Sequence, residues 1–551
     1  MSRFKDIVAA TSGVQLDPVV NSAELQRILR LPRRKLTPDP ELMEAMTNYF
    51  RVPGGTMELR WIQVAALYEA AVCNGLFGPI GVGHGKTLIT LLMATAMDSR
   101  CTVLLLPAQL KKKTLREIDE VYAKHFKIPL ARLRIHSYEE LSRAATADLL
   151  DEHKPDLIVL DEAHKLKRPQ SARTKRFLRY MQDNPGCRLV ALSGTMTQRR
   201  LIEYAHLCEL ALGKGSPLPG SYREVVDWGG ALDVEPPEPK RPGALKKLCA
   251  DGESAREGFR RRLVETPGVI ATEDEGFDGT IVMKATKLKL PDDVKAAREQ
   301  LRETWEIGSE VVTEATHFAR VMKQLACGFF YRWDWGPDGP DEKWLETRRE
   351  WGRALRYFLR YRSRAGLDSP ALVERALKRG EVSGDIVDVW TAWQKVKDRP
   401  EPETVPVWIN DFMIRAAEKW ADKNPKGIIW YEHRAFEDAF RERGWPVYAS
   451  GDDASTATEP VIVCSIKAQG TGKNMQAFHR NLILSMPSNG STLEQLIGRT
   501  HRPGQLEDEV FLDWYAHTPE MVNACEKAIA DAEYMQESMG QRQKLLLAEV
   551  V

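Results

Sequence analysis

Three apolar runs constrain this chain most: "CTVLLLPA" at 101–108, "DLIVLDEAH" at 156–164 and "RLVALSGT" at 188–195. Each carries four or five consecutive apolar residues with no polar alternation, the pattern of a strand buried on both faces. Helical stretches such as "SYEELSRAATADLL" lie between them. Strand and helix in this rhythm predict a parallel sheet with helices packed on both sides. The rhythm returns at "KGIIWYEH" (426–433), "PVIVCSIKAQG" (460–470) and "NLILSMP" (481–487). The fold class expected is α/β, with two parallel-sheet lobes and a helical insertion between them.

A chain of 551 residues is too long for a single core. Pro/Gly-rich breaks at "GKGSPLPGS" (213–221) and "EPPEPKRPG" (235–243) mark a change of character. The division predicted is an N-terminal extension over 1–49, a first lobe over 50–215, a linker and helical insertion over 216–414, a second lobe over 415–530 and a C-terminal helical tail over 531–551. Tryptophans cluster between 333 and 408. Trp344, Trp351, Trp390, Trp393 and "YRWDWGPDGP" (331–340) fit either the core of a helical subdomain or a surface that stacks on bases; we read them as core.

The formal net charge is only +1, so no basic field covers the whole molecule and any nucleic-acid surface must be local. The eight cysteines are scattered, with no C-x-x-C pair. That speaks against structural zinc or a disulfide framework and fits a reducing cytoplasm. The opening "MSRFKDIVAA" has no apolar core of the signal-peptide kind, and no apolar run reaches membrane-spanning length. A cytoplasmic protein is expected, with no membrane partner.

The stretch "GVGHGKTLIT" (81–90) combines glycines with Lys86 and Thr87 at the start of a helical pattern. A loop of this kind turns backbone N–H groups toward phosphate oxygens. Lys86 would reach the terminal phosphates and Thr87 would hold magnesium, with Gly83, His84, Gly85 and Leu88 completing the nucleotide cradle. An ordinary glycine-rich turn is the alternative. "LIVLDEAH" puts Asp161 and Glu162 at the carboxyl end of a buried strand, where open α/β sheets bind ligands. Asp161 there suits a magnesium ligand and Glu162 a group that activates water. Seen alone, the pair would read as a helix N-cap.

Taken in order, these motifs resemble superfamily 2 helicases and translocases, most closely the Swi/Snf-like DNA-dependent ATPases. "LRWIQ" (59–63) is similar to the adenine-reading Gln motif, with Gln63 as reader. "GVGHGKT" resembles motif I, although Ile80 stands where that motif has a small residue. "LLLPAQLKKKT" resembles motif Ia, "DEAHKLKRPQSARTKRFL" (161–178) motif II and its flank, and "LSGTMTQ" (192–198) motif III without its Pro-Leu. "AQGTGKNM" (468–475) resembles motif V, which implies Gly472 as a nucleotide-binding residue. "EQLIGRTHRPGQ" (494–505) resembles motif VI, with Gln495, Arg499 and Arg502 at matching positions.

The resemblance implies two RecA-like lobes, ATP as substrate and Mg²⁺ held by Thr87 and Asp161. It further implies Glu162 as the group acting on water and Arg499 and Arg502 as arginine fingers from the second lobe. It links His164 to Gln495. Its expected track is DNA, duplex or branched, gripped through Lys111, Lys112, Lys113, Lys167, Arg168 and Lys473, each of which on its own would read as part of a solvated face. The function expected is an ATP-dependent DNA translocase. A strand-separating DNA or RNA helicase and an ATP-gated nucleic-acid scaffold are the alternatives. Compact size and an unfamiliar segment over 331–410 point to a bacterial or phage origin.

Overall fold

The structure is a computed structural model and describes residues 19, 22–197, 199–236, 239–240, 243–272, 279–308, 310–312, 314–337, 339–362 and 366–550. Gln198 of "LSGTMTQ", the opening "MSRFKDIVAA" and parts of "EPPEPKRPG" lie outside the described residues. The chain forms two wholly parallel sheets, as expected of RecA-like lobes.

In the first lobe, β1 (Leu76–Pro79), β2 (Thr102–Leu106), β3 (Leu133–Ser137), β4 (Leu157–Asp161) and β5 (Arg188–Ser193) stand in the order β1-β5-β4-β2-β3. The unbroken apolar runs are explained by two separate cores. Phe77, Val103, Leu105, Ile158, Leu160 and Leu189 belong to one, and Leu76, Leu104, Leu106, Val159 and Val190 to the other. Successive side chains point to opposite faces, so both faces of these runs are covered and consecutive positions within them are apolar. The helix Ala23–Arg30 adds Leu25 and Ile28 to the first of these cores.

The second sheet begins with β6 (Thr280–Thr286). After it come a small ribbon of β7 (Glu306–Ile307) with β8 (Glu310–Val311) and an antiparallel pair of β9 (Phe329–Asp334) with β10 (Glu403–Trp408). Then follow β11 (Gly427–Tyr431), β12 (Val447–Tyr448), β13 (Val461–Ser465), β14 (Arg480–Ile483), β15 (Glu509–Tyr515) and β16 (Glu549–Val550). The order is β12-β13-β11-β14-β15-β6-β16.

The lobes divide elsewhere than at 215 and 415. Gly268 and Ile270 exchange backbone hydrogen bonds with Phe77 on β1, and Trp228, Phe259 and Leu263 lie in a first-lobe core, so the first lobe continues to 272. β6 then pairs with β15 along seven residues, Thr280 beside Glu509 through Thr286 beside Tyr515. Its sequence, TIVMKAT, is half exposed and reads locally like any amphipathic fragment. Only pairing with a strand more than two hundred residues away identifies it. The C-terminal boundary moves too. The helix Pro519–Met539 is continuous through 530, with Ala528 and Ala532 in the second-lobe core and Met539 in a first-lobe core.

The insertion roots on the second lobe, where Phe329 packs on Trp408 and Phe436. Its helices Glu342–Tyr361, Pro370–Lys378 and Ile386–Gln394 bury Trp351 and Phe358 with Val373, Leu377 and Ile386. Trp344 is wholly buried, so tryptophan here serves chiefly as core. The far end of the insertion docks on the first lobe: the Arg176 guanidinium donates to the Asp368 carboxylate at 2.8 Å, both side chains being buried. Among the described residues no helix is long and apolar enough to cross a membrane, and all eight cysteines are free thiols.

Candidate nucleotide cleft between the lobes

The loop after β1 turns into the helix Lys86–Ala96 through Gly85, whose φ of +75° lies in the left-handed region that favours glycine. A side chain at Gly85 would also land 2.4 Å from the Gln63 amide nitrogen. The first-turn N–H groups of such a helix have no partner within it and face outward as an anion site. Leu88 is the exception, since its N–H donates to the Gly85 carbonyl at 3.1 Å and its side chain is buried. It therefore belongs to the helix and not to the cradle. Lys86 Nζ donates to the Ile80 and Gly81 carbonyls at 3.0 and 2.9 Å, held at the mouth of the loop. His84 is buried beneath the same loop.

Gln63 is buried, and its amide closes the start of its own helix. Oε1 accepts from the Arg60 N–H at 2.9 Å and Nε2 donates to the Gly85 carbonyl at 3.3 Å. In this arrangement it braces the loop from behind.

β4 delivers Asp161 and Glu162 to the sheet's carboxyl edge, both more than nine-tenths buried. Glu162 sits at φ +58°, a left-handed conformation that costs a non-glycine residue roughly 1 kcal/mol or more. Burial and the neighbouring charge of Glu162 push the Asp161 carboxyl up, against the pull of Lys86. Burial also opposes the charge on Glu162, but the His164 hydrogen bond and Lys86 outweigh it and hold Glu162 low. Ser193 Oγ donates to Glu162 at 3.2 Å, and His164 Nδ1 lies 2.9 Å from Ser193 and 3.3 Å from Thr195. His164 thus ties the Asp161–Glu162 turn to the Ser193–Thr195 segment within one lobe. The expected link to Gln495 is not made: Gln495 Oε1 accepts from Thr471 at 3.0 Å instead.

The second lobe closes on this edge. The helix Gly490–Thr500 presents Gly498 to the loop after β1 so closely that a Cβ there would stand 2.8 Å from Val82. Arg499, the next residue, is buried, bonded through Nε to the Gln495 carbonyl at 2.7 Å and through a terminal nitrogen to the Lys473 carbonyl at 3.1 Å. Arg502 also donates to the Lys473 carbonyl, at 3.3 Å. Burial and the charge of Arg502 push Arg499 down to about 9, against the attraction of Glu162. Lys113 is likewise pushed down, first by burial and further by Arg499 and Arg502. Buried cations that strain against one another favour an anion between them.

Several closures have no local sequence signal. Lys113 crosses to the Gly472 carbonyl, Arg199 pairs with Asp531, and Gln541 donates to the Gly194 carbonyl at 2.6 Å. The six expected track residues do not form one open face. Lys111 is bonded to Glu140 at 2.7 Å, Lys113 is spent between the lobes, and Lys473 pairs with Asp453 at 3.0 Å. Lys112 and Arg168 are exposed, while Lys167 is half-buried. Among the described residues no group of three or more His, Cys, Asp or Glu side chains could hold a metal ion; the expected Mg²⁺ ligands Thr87 and Asp161 supply one hydroxyl and one buried carboxylate. No protein-family model matches this chain, and no curated protein matches it.

Proposed function

We propose that this chain is an ATP-dependent DNA translocase, hydrolysing ATP between its two lobes to move along duplex or branched DNA. The reading is carried by the contact of Gly498 with Val82, which sets the Arg499 side of one lobe against the Lys86 loop of the other. Chemistry that needs groups from both lobes requires a closed cleft, and opening and closing that cleft converts hydrolysis into relative motion.

In this reading Lys86 leaves the Ile80 and Gly81 carbonyls for the terminal phosphates. Thr87 and Asp161 would hold Mg²⁺, which would neutralise charge on the transferring phosphoryl group. Glu162, kept ionised by His164 and Lys86, orients the attacking water and accepts its proton. Arg499 and Arg502 stabilise negative charge as it shifts toward the leaving group. Ser193 and Thr195 sense the state of this site through His164 and pass it to the segment leading to Arg199, which is paired with the second lobe.

The test is ATP turnover measured in parallel with duplex DNA, single-stranded DNA and RNA, with displacement of a triplex-forming strand as the readout of movement. Stimulation by duplex DNA with triplex displacement is expected. Glu162→Gln should cost about 10²- to 10⁴-fold in turnover, the usual worth of a positioned base. Stimulation by RNA alone, or strand separation without triplex displacement, would replace the translocase by a helicase. Full turnover in Glu162→Gln would remove the assigned base.

A further inference from the structure

A cationic surface outside the cleft lies on the insertion. In the helix Glu342–Tyr361, Arg349, Arg353, Arg356 and Arg360 recur at intervals of four, three and four. At 100° per residue they fall within about 60° of one another, on one stripe about 16 Å long. All four are exposed. Tyr357 and Tyr361 stand beside them, 56% and 63% exposed, with ring centroids 5.0 Å apart. Arg360 lies over the Tyr361 ring at 5.2 Å.

This stripe is not a solvated face of balanced charge. The acidic residues of the helix, Glu342, Glu346 and Glu350, all precede Arg353. Among the described residues none of the four arginines is ion-paired with a carboxylate. Arg348, which does have a structural task, behaves differently: its guanidinium lies 4.7 Å above Trp344 and 5.6 Å above Trp333. The opposite face is already used, with Trp344, Trp351 and Phe358 buried in the insertion. The helix therefore has no apolar face to offer a lipid surface, which membrane-lying helices require.

We propose that this arginine–tyrosine stripe is a second docking surface for the phosphate backbone of duplex DNA, independent of the helicase-like motifs. Arginine forks suit phosphate oxygens, and contacts to phosphate carry no sequence preference. A stripe of 16 Å matches about five phosphates of one strand at 3.4 Å of axial rise each. Its position fits a track that continues from the first lobe. Lys175 donates to the Leu359 carbonyl at 2.9 Å beside the stripe, and Lys175 belongs to the helix Ala172–Asp183 that follows exposed Arg168. The buried Arg176–Asp368 pair fixes the same junction. Choosing DNA over other polyanions rests on the translocase reading.

The test replaces all four arginines by glutamine (R349Q/R353Q/R356Q/R360Q). Binding to a fluorescent DNA duplex is followed by anisotropy across a salt series, with vesicles containing anionic lipid as a second probe. Because none of the four arginines takes part in the bonds that build the cleft, ATP turnover without DNA should be unchanged. The slope of log affinity against log salt should fall by up to about 3.6, at about 0.9 per lost phosphate contact. Affinity should fall about tenfold or more. An unchanged slope and affinity, with the wild type binding normally, overturns the stripe and leaves the translocase reading intact. Loss of vesicle binding with duplex binding retained identifies a lipid surface and overturns it as well. A wild-type protein that binds no duplex overturns both readings.

Discussion

The cleft and the insertion helix both gather cations, under opposite conditions. In the cleft Lys86, Lys113, Arg499 and Arg502 are wholly or partly removed from water and held by carbonyls, and burial works against the charge of Lys113, Arg499 and Arg502. On the helix Arg349, Arg353, Arg356 and Arg360 are exposed, with no carboxylate partner among the described residues. A buried cation must find its anion at one defined point, because desolvation makes misplacement costly. An exposed, mobile cation tolerates any phosphate within reach, at a small gain each. The first arrangement suits a small ligand that is held and cleaved, the second a polymer that slides.

The largest effect that would break this contrast is expected at Arg499. Arg499→Ala should lower DNA-stimulated ATP turnover by about 10³- to 10⁵-fold, the range of an arginine finger, whereas Arg356→Ala should change DNA affinity by less than about tenfold. Steady-state kinetics and anisotropy on both variants decide it, and comparable small losses would erase the distinction. Next comes the joint between the two regions. Asp368→Ala leaves the Arg176 charge buried and unpaired and should cost about 3–5 kcal/mol in urea unfolding.

A smaller loss is expected from Gly498→Leu, which would wedge the cleft at Val82. An ångström of misalignment costs about 10²-fold in rate, so turnover should drop by that order while DNA binding by the stripe persists. Unaltered turnover would mean that catalysis does not use this closure. The smallest effect concerns the root of the insertion, where the His433 ring packs 5.5 Å from Phe329 and 6.5 Å from Tyr331. Burial lowers His433 from 6.5 to about 4, with the charge of Lys323 adding to the shift and Glu432 opposing it. The folded state thus resists protonation more than the unfolded chain does. The stability linked to His433 is complete above pH 6.5 and is lost as pH falls from 6.5 to about 4. Thermal unfolding across that window should show a decline that His433→Phe reduces.

What was legible in the sequence had a short-range cause. Runs such as LIVL before Asp161 show a strand covered on both faces, because consecutive positions there had to be apolar. The turn into the helix that starts at Lys86 was legible because glycine at position 85 suits a positive φ. β6 was not, since TIVMKAT has no pattern of its own until β15 pairs with it. The link assigned to His164 failed for a related reason: hydrogen-bonding range is decided by the packing of β5 on β4, which brings Ser193 and Thr195 to the imidazole. Lys113 and Lys473 were expected on a nucleic-acid track, and neither local sequence carries a sign of the Gly472 carbonyl or the Asp453 carboxylate that meets it.

By itself the sequence determined two parallel-sheet lobes and which residues stand at their carboxyl edges, since burial on two faces and glycine's backbone freedom are written locally. The tertiary structure decided where one lobe ends, which carbonyls and carboxylates each cation meets, and that Gly498 touches Val82. Those depend on the closing of one lobe on another, and the partners stand hundreds of residues apart along the chain.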